Sequence, residues 1–160
     1  MTEQERISIR SQNAKSYFEQ GYNCSQSVAL AFGDLMPVDQ ENLLMLASPF
    51  GGGMGRMREV CGAVSGMFLV EGYLCGYSSA SDNAKKIQLY SNVRELASSF
   101  SNQNGSIICR DLLIGTPHTS GGIPEERSPE YYKKRPCAEL VASAAEILAK
   151  HLLEQGIEGV

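Results

Sequence analysis

The sequence has no C-x-x-C pair, only two histidines and no run of alternating β-branched residues. The first absence removes the local ligand spacing of zinc ribbons and most cluster sites, and with no C-x-x-C-H there is no c-type haem attachment. With His118 and His151 alone, neither a Ser-His-Asp arrangement nor an H-E-x-x-H zinc helix can be built. The missing alternation argues against a sheet. No basic block is present: Lys133-Lys134-Arg135 is the densest run, and net charge is −4. Such a balance gives no help to nucleic-acid or anionic-membrane binding. The longest mostly apolar stretch, Val60 to Val70, is far short of the ~20 residues of a membrane span. Met1-Thr2-Glu3-Gln4-Glu5 has no apolar core of a leader, so a cytoplasmic protein is expected.

What is present fits one ordinary folded domain over 1–160. The chain is 42% hydrophobic and 20% charged, and at this length folding buries roughly 70% of the open chain's surface. Helical patterns run almost throughout. The stripe Ile7, Ala14, Tyr17, Phe18 stops at Gly21. Asn23 can cap a helix to Gly33, and Asp39 one that ends near Pro49. A small-residue helix is expected from Glu59 to Leu74. A long helix capped by Ser81 or Asp82 carries Ile87, Tyr90, Val93, Ala97 and Phe100, and ends at Asn104-Gly105. Ser106 opens a short turn of helix that closes at Gly115. Pro136 starts a last helix with Leu140, Val141, Ala144, Leu148 and Leu152, and a frayed tail follows Gly156. The expected fold is all-α, a compact bundle of about six or seven helices. Thr116 to Arg135 shows no periodicity and holds Pro117, Pro124, Pro129 and Gly121-Gly122; loops this long are usually lids or disordered.

Eight of the 16 glycines lie between Gly51 and Gly76. Gly51, Gly52 and Gly53 with Arg56 and Arg58 suggest an anion or cofactor nest. A structural turn is the stronger reading, because neither a preceding strand nor a Gly-Lys-Ser/Thr is present. Gly62 and Gly66 share one helix face and permit close backbone approach.

The cysteines coincide with helix starts. Cys24 follows the cap Asn23, Cys137 follows Pro136, Cys109 lies just after Ser106, and Cys61 follows the glycine turn. Helix N-termini favour anions, and a thiolate is an anion, so thiol pKa values fall there. Arg58, Arg110 and Arg135 lie within three residues of Cys61, Cys109 and Cys137 and can add to the effect. The competing reading is that free Cys packs as a small core hydrophobe. Cys75 is set apart, since a continuous helix would hold it ~21 Å from Cys61. His118 is a candidate ligand or proton donor, set against a solvated loop histidine, and His151 reads as a helix-face residue.

Asn23-Cys24-Ser25-Gln26-Ser27-Val28, Gly51 to Arg56, Val60-Cys61-Gly62-Ala63-Val64-Ser65-Gly66, Cys109-Arg110-Asp111-Leu112 and Cys137 together resemble the C_GCAxxG_C_C family of redox-active proteins. Val60 stands before Cys61 where the family's name puts Gly. The resemblance implies a small bacterial redox protein whose four cysteines correspond to Cys24, Cys61, Cys109 and Cys137. A similar domain in split-Soret cytochromes binds an iron–sulfur cluster. Three functions follow. The four thiols perform redox chemistry on an unidentified partner; or the same four hold an iron–sulfur cluster or metal ion for electron transfer; or the chain is a helical interaction protein with structural cysteines. A homodimer is left open.

Overall fold

The computed structural model describes residues 1–160 and contains eight helices and no strand. They are α1 (Glu3–Glu19), α2 (Cys24–Ala31), α3 (Gln40–Ala47), α4 (Gly62–Cys75), α5 (Asn83–Asn104), α6 (Cys109–Leu112), α7 (Pro129–Lys134) and α8 (Cys137–Glu154). Local chemistry sets most boundaries. Thr2 and Asn23 each form a reciprocal capping box, with Glu5 and Gln26, which satisfies backbone N–H groups that the first turn leaves free. Gly105, at φ 99°, stops α5 in a left-handed cap.

The core runs through the bundle from Phe18 on α1, through Val28 on α2 and Val64, Met67 and Val70 on α4, to Leu148 and Leu152 on α8. All are at most 1% exposed, and burial of each such side chain contributes roughly 1.5–3 kcal/mol before entropy is counted. Helices α1 and α8 pack along one another, and α2 lies on α4. The α2–α4 contact depends on glycine. A Cβ at Gly62 would lie 2.8 Å from the Phe50 carbonyl oxygen and 3.0 Å from the Cys24 Cβ, and one at Gly66 would lie 2.9 Å from the Ser25 carbonyl oxygen.

Five expectations are corrected. The small-residue helix begins at Gly62 rather than Glu59, because the backbone before it pairs with another segment: Cys61 N–H donates to Ile107 and Cys109 N–H to Glu59. The stretch 116–135 is not wholly irregular; Ser128 caps α7, with Pro129 in its first turn. The buried face of α5 is Asn92, Leu96 and Phe100, while Ile87 and Tyr90 face solvent; a polar residue took a place that the apolar pattern gave to its neighbours. Pro136 is the cap of α8, and Cys137 is its first residue. The tail does not fray: Val160 is buried, and Gly159 accepts a 2.7 Å hydrogen bond from the buried Arg10.

Candidate functional site

Four segments deliver four cysteines to one small cavity. Cys24 and Cys137 are the first residues of α2 and α8, Cys109 is the first of α6, and Cys61 is the cap of α4. All four line a cavity of about 60 Å³ with Gly53, Arg58, Arg127, Tyr131 and Arg135. The pairing of residues 59–61 with 107–109 sets Cys61 and Cys109 side by side. The glycine turn closes the arrangement: a Cβ on Gly53 would stand 2.7 Å from that of Cys109. Met54, Arg56 and Arg58 all have positive φ, a costly conformation for residues with a Cβ. Here it accompanies an arrangement that turns Arg56 and Arg58 toward the site. Cys61 and Cys109 are buried, whereas Cys24 and Cys137 keep partial exposure, and every cysteine is free.

The thiols differ in acidity. Cys137 is lowered to about 7, first by the hydrogen bond from Cys24, then by the charges of Arg135, Arg127 and Arg58, which together outweigh burial. Its place at the start of an 18-residue helix acts in the same direction. Cys24 moves well above the ordinary thiol range, because it gives its proton to that hydrogen bond and is buried beside Cys137. Burial pushes Cys61 up to about 12 against the backbone N–H groups of Ala63 and Val64. Burial also raises Cys109, although the Arg58 guanidinium lies 3.7 Å from its sulfur. The cavity therefore holds one acidic thiol and one proton-holding neighbour, flanked by two thiols that stay protonated at neutral pH.

The arginines form a second layer. Arg56, Arg58 and Arg135 are all nearly buried and converge on Glu125 from the 116–135 stretch. Arg135 reaches its carboxylate at 2.8 Å and Arg58 at 3.4 Å. Burial alone would raise Glu125; its own backbone N–H, Arg56, the Thr119 N–H and Arg135 hold it far below the usual carboxylate range. Arg56 also donates to Thr119 and Gly121. The expected nest residues Gly51, Gly52, Gly53 and Arg56 thus form a turn whose arginine is engaged by the facing loop. Arg127 stacks 4.2 Å from the Phe18 ring centroid and donates to the Phe18 and Tyr22 carbonyls. Arg110 does not serve Cys109 as expected; it pairs with Glu59 at 2.6 Å, half in solvent. Arg127 and Glu125 escaped the sequence reading because no spacing rule links them to the cysteines. Their one signal was their position in a long loop without periodicity.

Cys75 ends α4, away from this cavity, and belongs to a different cluster. Glu71 is fully buried and stands 3.1 Å from His151, also buried, and it accepts from Asn92 at 2.9 Å. Burial would raise Glu71, but His151 and Asn92 bring it below its ordinary value. His151 is raised by the Glu71 carboxylate 3.1 Å away, against burial. Cys75 is raised to about 11 by burial and by the Glu71 charge. His151 lies on the inner face of α8, and a charged residue inside the apolar run Met67 to Leu74 was the signal for its partner. His118 bonds Thr116 within the loop and does not line the thiol cavity.

No three His, Cys, Asp or Glu side chains in the chain are grouped so that they could hold a metal ion. The four thiols line one cavity, but no three of them meet that condition. In this arrangement they do not fit the expected metal ion or iron–sulfur cluster. No helix is long and apolar enough to cross a membrane. A family model described as "Putative redox-active protein (C_GCAxxG_C_C)" matches residues 22–151. No curated protein and no solved structure matches the chain.

Proposed function

The chain belongs to the C_GCAxxG_C_C family of redox-active cysteine proteins, and from that premise we propose that it is a thiol–disulfide oxidoreductase. Cys137 is the attacking thiolate, and Cys24 is the thiol that resolves the mixed disulfide. The observation that carries this reading is the placement of Cys24 and Cys137 at two helix starts on one cavity with Arg127 and Arg135; their opposite shifts in acidity agree with it. A thiol near pH 7 is close to the optimum for attack, since lower values weaken the nucleophile and higher ones deplete the thiolate.

The chemistry balances with a disulfide as oxidant. The Cys137 thiolate attacks one sulfur of the substrate disulfide, whose S–S bond breaks as one thiolate leaves with the electron pair. Cys24 then gives up its proton and attacks the Cys137 sulfur, which releases the second thiolate. The protein dithiol is oxidised to a Cys24–Cys137 disulfide, and the substrate disulfide is reduced to two thiols, one of which carries Cys24's proton at neutral pH. Cys61 and Cys109 hold their protons and line the cavity; with Arg58 against Cys109 they serve as reserve partners for a second exchange.

The single-domain organisation and the cover over the site are part of the same reading: residues 116–135 close over the cavity through Glu125. Thiol counting with mass-spectrometric mapping after mild oxidation tests the pair. Two thiols lost, with a Cys24–Cys137 cross-link, is the expected result; an unchanged count sinks the reading.

A further inference from the structure

Beside the thiol cavity lies an open groove of about 370 Å³. It shares Asn23, Gly52, Arg58, Arg127 and Tyr131 with the cavity, so the two adjoin. The groove has only one apolar lining residue; its charged groups are Arg56, Arg58, Arg127 and Glu125. Arg135 joins them from the cavity side. Four guanidiniums therefore face one carboxylate and one acidic thiol, which leaves positive charge unmatched in a partly enclosed space. The single carboxylate already present is the protein's own. Glu125 is held by three nearly buried arginines, each through one charge-assisted contact. The arginines that border this groove thus already hold one carboxylate, the protein's own.

We infer that the groove is the substrate-binding site for small disulfides that carry carboxylates, with Glu125 as an internal competitor for the arginines. The inference rests on the thiol reading above and adds the substrate class. A carboxylated disulfide would lay its acid on Arg56 and Arg58 and present its S–S bond toward the cavity that Arg58 and Arg127 border. Neutral disulfides would gain nothing from these groups, and cationic ones would be repelled.

Three probes test this: dithiobis(nitrobenzoate) as the anionic disulfide, dithiodipyridine as the neutral one and cystamine as the cationic one. Each rate is divided by that of an uncharged free thiol, 2-mercaptoethanol, with the same probe, which removes intrinsic reactivity without adding a charge of its own. The normalised anionic-to-neutral ratio is expected to be about tenfold above one at low salt, the size of one charge-assisted hydrogen bond, and to decline as salt screens it. Arg56→Gln should bring the ratio down toward one. Glu125→Gln should raise it, because the competitor is gone. A partly unfolded variant exposes its thiols to every probe alike, so the ratio stays informative. A wild-type ratio of one, or variants that change all three probes together, overturns the inference while leaving the thiol reading intact; Glu125 would then be a loop latch only. If Cys137 reacts with no probe faster than Cys75 does, both readings fall.

Discussion

The molecule contains two buried polar clusters that each include a cysteine, and they are opposite in design. In one, Cys137 stands at a helix start beside three arginines, with a cavity and an open groove next to it. In the other, Cys75 stands at a helix end beside Glu71, and the Glu71–His151 pair is sealed by packing. The first collects positive charge and leaves it partly unmatched; the second pairs its charges one to one. The same thiol is lowered to about 7 in the first setting and raised to about 11 in the second. A helix start alone does not lower a thiol, since Cys24, Cys61 and Cys109 also begin helices and are raised; only at Cys137 do a neighbouring thiol and three arginines outweigh burial.

The largest effect should come from breaking the sealed cluster. Glu71→Ala leaves His151 and Asn92 buried without their partner, and loss of one member of a buried pair costs about 3–5 kcal/mol. Urea unfolding should show it as a lower midpoint. A shift under about 1 kcal/mol would mean that the pair is not structural.

Next is the contrast between the thiols themselves. At pH 7 the thiolate fraction favours Cys137 over Cys75 by more than a thousandfold, and the weaker nucleophilicity of an acidic thiol returns part of that. Alkylation mapped by mass spectrometry should find Cys137 about 100-fold faster than Cys75, and Cys137→Ser should abolish the fast phase. Equal rates would erase the distinction between the clusters.

A smaller effect separates them by pH. Glu71 has its folded value below an ordinary 4.5, so its contribution is present above 4.5 and is lost as pH falls through the lowered value. His151 has its folded value above an ordinary 6.5, so its contribution is whole below 6.5 and is lost as pH rises through the raised value. The pair should thus stabilise most between pH 4.5 and 6.5. His151→Gln should flatten that part of the urea midpoint-against-pH curve; an unchanged curve would assign the dependence elsewhere.

The smallest effect concerns the cover. Proteolytic nicking between Gly121 and Pro124 should speed alkylation of Cys24 and Cys137 a few-fold and leave Cys75 as it was. Unchanged rates would show that 116–135 does not shield the site.

The helices were legible from caps and periodicity because those signals are local: Asn23 with Gln26, Asp82, Gly105, and the α8 stripe all act within a turn or two. The four cysteines could be singled out for the same reason, since each sits beside a recognisable helix start. Their mutual arrangement could not be read, because it depends on backbone pairing between residues 59–61 and 107–109, distant in sequence and too short to show alternation. Arg127 and Glu125 were hidden for a related reason: a guanidinium's partner is decided by the folded surface around it. The partner of His151 could not be read, because Glu71 lies on another helix and a histidine on an apolar stripe does not announce a buried carboxylate.

The pairing of Cys24 with Cys137 has a consequence for how the protein is made. One member leaves the ribosome early and the other only when the last helix does. Helix α8 is also what α1 packs along, so the N-terminal helices are synthesised long before the surface that completes them. Chains grow N-terminus first, and domains fold as units; a nascent chain therefore carries Cys24 without the neighbour that takes its hydrogen bond. The lowering of Cys137 needs Cys24, Arg135, Arg127 and Arg58 all in place, so that acidity comes into being only with the finished fold.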